Sequence, residues 1–330
     1  MSVLSEDLGQ SARTGVFNYM SAASQSSLHR NGKVLTRRDA DGSDASWQGV
    51  DLVKCDMKVT DARGFSGGRA PTLERNGFEL LHRPVDAGRL DFFNNDQVLR
   101  DYYPACAEVV RAATGARTVK AFDHNIRSAS GKKSRKRIDG GQQVQGPAHV
   151  VHGDYTLTSA PARLRQLAKP PGTNDTVRPL LKEGESLLDA EEVEAAIESG
   201  RFAIINLWRN IVEDPVEVNP LALCDAAKVV PEDLVVFEIH YADRVGENYF
   251  AKHADGHAWF FYPEMKRDEA LLIKQWDSAG EMARSDGARS DGADPQSPCT
   301  FSFHSAFEDP AMRDDAPDRW SMEVRCAVIY

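Results

Sequence analysis

Short apolar runs, rich in Val, Ile, Phe and Trp, constrain the fold of this chain more than any other feature. They span residues 118–126, 148–152, 202–208, 234–240, 257–262, 270–276, 300–304 and 321–330. Runs of this length and composition read as strands. Joined by long connections, they suit a mainly β protein with flanking helices, an α+β arrangement. The architecture expected is a double-sheet jelly roll, a cupin-like double-stranded β-helix. Helices punctuate it. Asp96 is positioned to cap one in which Val98, Leu99, Tyr102, Cys106, Val109, Val110 and Ala113 recur at helical spacing up to Gly115. A second starts near Ser159 and stops before Pro170 and Pro171. A third opens on a capping-box pattern of Asp189 and Glu192, turns Val193 and Ile197 to one face, and ends at Gly200.

Residues 1–95 are polar and turn-rich, with strand-like pieces such as 15–20. The organisation expected is one domain over 1–330. An N-terminal extension and helix (1–117) would be wrapped on a jelly-roll core (118–330). Residues 283–292 repeat Ala-Arg-Ser-Asp-Gly twice, with no apolar side chain larger than Ala. This predicts a mobile loop near 279–298, exposed to proteolysis and placed before His304 where a lid could cover a site mouth.

The 330 residues carry a formal net charge of -10. Such a surface does not suit nucleic acid, which demands excess Lys and Arg. The basic run Lys132-Lys133-Ser134-Arg135-Lys136-Arg137 lies among Gly and Ser and reads as a solvated loop. The five cysteines are scattered without a C-x-x-C pair, which suggests neither a zinc site nor a disulfide framework. No secretory segment opens the chain and no apolar run is long enough to cross a bilayer, so a cytoplasmic setting is expected.

Within this frame His152-Gly153-Asp154 closes a short apolar run, and His304 comes one strand before the C-terminus. Positions i and i+2 of a strand point the same way, so His152 and Asp154 can reach one metal, with His304 arriving from a neighbouring strand. Two imidazoles and a carboxylate on one face of an iron(II) leave positions open for a co-substrate and dioxygen. In the expected strand count, His152 closes the second strand, His304 lies on the seventh and the arginines on the eighth. A second H-x-D, His253 and Asp255, sits in a segment that reads as a loop and fits that order less well. His149, at an odd offset from His152, reads as structural.

On the last strand Arg319, Ser321, Glu323 and Arg325 alternate onto one face. They read either as a surface ladder or as a carboxylate clamp in which Arg319 and Ser321 grip the far carboxylate of 2-oxoglutarate. Arg325 would then pair with Glu323 or touch substrate, and the choice between the two arginines stays open. Asn206 and Arg209, and Tyr155 with Thr156, are candidate walls of a substrate pocket. Trp208 reads as core, and so do His257, Trp259 and Phe261.

The segments Val151-His152-Gly153-Asp154-Tyr155-Thr156, Asn206-Leu207-Trp208-Arg209, Pro220 to Asp225, Asp268 to Ser278, His304-Ser305-Ala306-Phe307 and the closing Arg319-x-Ser321-x-Glu323-x-Arg325 occur in this order. Together they resemble the CmcJ/AsaB-like hydroxylase/desaturase family over roughly residues 118–330. That resemblance implies a non-haem iron, 2-oxoglutarate-type oxygenase of secondary metabolism, with His152, Asp154 and His304 as ligands. Gly153 departs from the family pattern, where a larger residue is more common. Some relatives have been labelled methyltransferases, but this chain has no nucleotide-binding glycine fingerprint. The reading is an Fe(II)- and 2-oxoglutarate-dependent dioxygenase that hydroxylates, desaturates or cyclises a small organic molecule. Its alternatives are an iron oxidase whose substrate chelates the metal without 2-oxoglutarate, and a jelly-roll binding protein without turnover.

Overall fold

The computed structural model describes residues 11–37, 46–65, 67–85, 90–241 and 244–330. Among the described residues fourteen strands form two sheets. In chain order they are β1 (Ala12–Met20), β2 (Leu35–Arg37), β3 (Leu52–Asp61), β4 (Phe78–His82), β5 (Thr118–Arg127), β6 (His152–Gly153) and β7 (Phe202–Asn210). There follow β8 (Leu221–Cys224), β9 (Leu234–His240), β10 (Val245–Ala251), β11 (Trp259–Phe261), β12 (Glu269–Asp277), β13 (His304–Ala306) and β14 (Ser321–Ile329). The larger sheet runs β1-β3-β11-β8-β13-β6-β10-β9-β2 and the smaller β4-β12-β7-β14-β5. This is the expected jelly roll, with the two sheets enclosing the core.

Each expected strand overlaps an observed one, but the two that bear candidate ligands are shorter and displaced. Residues 148–151 lie outside the ladder; Val150 bridges Asn18, whose side chain donates to the His149 carbonyl. Residues 300–303 are spent on other bonds: Thr300 N donates to Asp291 and Ser302 N to the Lys274 carbonyl. Every residue of β7 is buried. It is the middle strand of the smaller sheet, covered on both faces, and it opens on a continuous apolar run, Phe202 to Ile205, rather than an alternation.

The N-terminal part is not a wrapping extension. β1 and β3 pair along their whole lengths, and β3 continues in parallel onto β11. Phe17, Tyr19, Met57 and Val59 enter the principal core. Their strands read as polar because the opposite face is exposed, which dilutes the apolar signal by half. The expected strand count also falls, since five strands precede β6 and Arg319 lies just before β14.

The helices follow their caps. Asn94, not Asp96, caps the first, accepting from Gln97 N at 3.1 Å. That helix passes through a π-helical turn at Val98–Tyr102 into Tyr103–Thr114 and ends at Gly115 with φ +68°. Ser159–Leu167 and Ala190–Glu198 stand where expected. Asp189 accepts from Glu192 N, but the Glu192 carboxylate turns to Arg117 and Thr118 and leaves the capping box half made.

The repeat at 283–292, expected to be a mobile loop, contains part of a helical turn, Glu281–Arg284, and the start of a 3-10 turn, Asp291–Ala293. Buried Asp291 accepts from Met282 N at 3.3 Å, Thr300 N at 2.6 Å and Thr300 Oγ1 at 2.7 Å. A Cβ on Gly292 would lie 2.5 Å from the Ala227 carbonyl oxygen, so the second glycine permits a close backbone approach. The polar composition serves the turn's own backbone. In the basic run, Lys136 sits 4.0 Å over the Phe93 ring while its neighbours are exposed.

Candidate metal centre

β6 is two residues long and lies between β13 and β10. His152 is therefore in register with His304 on one side and Phe250 on the other. Partners across an antiparallel pair share a face, and the two imidazole centroids are 4.3 Å apart. Asp154 follows as the strand ends. One donor atom from each of His152, Asp154 and His304 lies within 4.8 Å of the others, the single such group among the described residues. His152 Nε2 is 3.6 Å and His304 Nε2 4.0 Å from Asp154 Oδ1. The rival His253 and Asp255 are 3.9 Å apart, but Asp255 projects fully into solvent and His253 packs edge-on against Tyr19.

The protonation states follow from the surroundings. His152 Nδ1 lies 2.7 Å from the Val150 carbonyl, which can only accept, so this nitrogen carries the proton and Nε2 presents its lone pair to Asp154. Burial, then His304, push the His152 pKa down to about 4. Burial also lowers His304. For Asp154, burial favours the acid, but Arg325 and the hydrogen bond from Asn206 outweigh it and keep the carboxyl ionised. Two neutral imidazoles and a carboxylate converge with electron pairs facing inward. That set repels itself when empty and fits a divalent cation.

Gly153 is explained by its surroundings. A Cβ there would lie 3.0 Å from two atoms of the Phe301 ring, so Phe301 fills the space that a larger residue would take.

A cleft beside the histidines is lined by Arg127, Trp208, Arg319 and Glu323 among others. Arg319 is buried. It donates to the Asn219 carbonyl and lies 5.9 Å from the Trp208 ring. Its Nε, like Ser321 Oγ, is buried without a hydrogen-bond partner among the described residues. Burial and then Arg127 depress its pKa to about 9, so the guanidinium is cationic at neutral pH. Arg325 is the opposite case. It reaches Asp123 at 3.0 Å, Glu323 at 3.2 Å and Asp154 at 3.3 Å.

Other candidates fall elsewhere. Asn206 faces Asp154, donating to Oδ2 at 3.0 Å. Arg209 lies on the far face of β7 and donates to Tyr102 Oη at 2.9 Å and the Arg267 carbonyl at 2.6 Å, which ties it to the helical layer. Tyr155 is half-buried against the core, and burial raises its pKa to about 12. Two residues at the site were not foreseen. Arg127 ends β5 opposite Ser321, one residue beyond the strand end expected from sequence. Gln275 accepts from Asp154 N at 3.1 Å; its one signal was a neutral polar side chain inside an apolar run.

A family model described as oxidoreductase/YMDC permease-like domain matches residues 17–329. The chain belongs to this oxidoreductase family. The alpha-ketoglutarate-dependent dioxygenase phiK of a fungal species is 30% identical over 280 residues, 83% of each chain. The hydroxylase/desaturase poxK of Penicillium oxalicum is 28% identical over 297 residues, 83% of this chain and 78% of that one. A bacterial relative, an uncharacterized protein from the dcmA 3' region of Methylophilus leisingeri, is 43% identical over 195 residues, 59% of this chain and 88% of its own. Among solved structures, the iron and alpha-ketoglutarate-dependent endoperoxidase NvfI superposes with a TM-score of 0.68 at 20% identity, covering 97% of both chains. The hydroxylase/desaturase resemblance read from the sequence and the jelly-roll fold are borne out.

Proposed function

We propose that the protein is an Fe(II)- and 2-oxoglutarate-dependent dioxygenase that oxidises a small organic molecule in secondary metabolism. The observation that carries the reading is the convergence of His152, Asp154 and His304. These residues would hold iron(II). Arg319 and Ser321, with their unpartnered polar atoms, would hold the far carboxylate of 2-oxoglutarate in the adjoining cleft. The bound metal would supply dioxygen activation coupled to decarboxylation of 2-oxoglutarate to succinate and carbon dioxide.

The chain's own groups prepare that chemistry. The Val150 carbonyl fixes the His152 tautomer, and burial keeps both imidazoles neutral. Trp208, Leu221 and Ala306 line the cleft and limit water there. Four of the five free cysteines are buried, and free thiols suit a reducing cytoplasm. Among the described residues no helix is long and apolar enough to cross a membrane.

Anaerobic titration with iron(II) and 2-oxoglutarate tests the reading, with a metal-to-ligand charge-transfer band as the expected result. Replacing His152, Asp154 or His304 by Ala should abolish the band and oxygen consumption while unfolding stays cooperative. Activity retained in His152→Ala and lost in His253→Ala would move the centre to the other H-x-D. Oxygen uptake without succinate would replace 2-oxoglutarate by a substrate that chelates the metal.

A further inference from the structure

Two fully buried amides lie next to Asp154, and each spends its hydrogen bonding there. Asn206 Nδ2 donates to Asp154 Oδ2, while Asn206 Oδ1 has no hydrogen-bond partner among the described residues. Gln275 Oε1 accepts from Asp154 N, while Gln275 Nε2 has none. Both side chains are 0% exposed. A buried amide with one half unsatisfied destabilises the fold relative to a satisfied one. An apolar residue would serve the core better at both places, so the fold alone does not account for them.

The backbone makes special provision for these contacts. β12 carries a bulge where Lys274 pairs with Ile205 and Trp276 with Ile204, leaving Gln275 as the extra residue. A bulge re-aims the side chain it carries. Asn206 and Arg325 are register partners on β7 and β14, and both reach Asp154 Oδ2, Arg325 through Nε at 3.3 Å. Asp154 is thus gripped at its amide by Gln275 and at one carboxylate oxygen by Asn206 and Arg325. Its other oxygen, Oδ1, is the one turned toward the two histidines.

We infer that Asn206, Gln275 and Arg325 are positioning residues that hold Asp154 as a one-oxygen metal ligand. This rests on the metal-centre reading above. With Oδ2 occupied by two donors, a metal is offered Oδ1 alone, which leaves more of its sphere open than a two-oxygen carboxylate would. The smaller sheet, which supplies none of the three candidate ligands, thereby sets the geometry of a centre whose ligands come from β6, β13 and the turn after β6.

The test is cobalt(II) titration of the full chain, read by its d–d absorption, with thermal unfolding of each metal-free variant as the check on folding. Arg325 holds three carboxylates and its loss threatens the fold, so Asn206→Leu and Gln275→Leu carry the experiment. Each should unfold cooperatively, bind cobalt(II) about 10- to 100-fold more weakly, and show a shifted d–d spectrum. A purely structural role would lower the melting temperature and leave the affinity and spectrum of the folded molecules unchanged. Folded variants of both kinds with wild-type affinity and spectrum overturn the inference. Wild-type protein that binds no cobalt(II) while folded overturns the metal-centre reading beneath it.

Discussion

Arg319 and Arg325 lie on one polar face of the chain's last segment, and their surroundings are opposite. Arg325 meets the carboxylates of Asp123, Asp154 and Glu323, whereas Arg319 keeps Nε unpartnered among the described residues beside the cleft. Arg319→Ala should therefore weaken 2-oxoglutarate binding by about 2–5 kcal/mol, measured by co-substrate titration of the iron-loaded protein, with little change in melting. Arg325→Ala should instead destabilise the fold by about 3–5 kcal/mol, because it leaves buried carboxylates without their cation. Urea unfolding measures that loss. The reverse ranking in the two assays would transfer the co-substrate to Arg325.

At the level of elements, the segment before β13 shows how a polar repeat becomes a built turn. Its anchor is Asp291, whose carboxylate takes donors from Met282 and Thr300. Asp291→Ala leaves those buried donors unsatisfied and should cost about 1–3 kcal/mol in urea unfolding. Limited proteolysis should cut within 283–292 faster in the variant than in the wild type. Equal cleavage rates would return the segment to the mobile loop that its composition suggests. Composition reports how polar a stretch is, and not whether its polar groups face water or its own backbone.

The whole molecule carries a pH dependence set by buried histidines. Burial lowers His124, His152 and His304 below the usual histidine value of about 6.5. Tyr103 Oη lies within hydrogen-bond distance of His124 Nδ1, at 2.8 Å. The unfolded chain binds these protons more readily than the folded one. Stability of the metal-free protein is then fully present above about pH 6.5 and falls as pH drops toward the lowered folded values. Urea unfolding between pH 7.5 and 5.5 should show the decline, and His124→Gln should make it shallower. Stability that rises on acidification would contradict these histidine environments.

What the sequence determined by itself is local and periodic. Caps and stops placed the helices at Ser159–Leu167 and Ala190–Glu198, apolar runs marked the strands of the core, and the H-x-D spacing with a late histidine named a candidate metal centre. Each signal lies within a few residues of its effect, because strand alternation and end-capping are short-range. Tertiary structure decided the rest. β1 and β3 proved to be core strands, β1 through pairing with β3 and β3 through pairing with β11, far along the chain. A bulge in β12 sent Gln275 to Asp154, and the register of β7 with β14 brought Asn206 and Arg325 to the same oxygen. Which arginine is spent on carboxylates depends on Asp123 and Asp154, which arrive from other elements. Pairing partners, register and the charge around a buried group are properties of the folded assembly, and no window along the chain contains them.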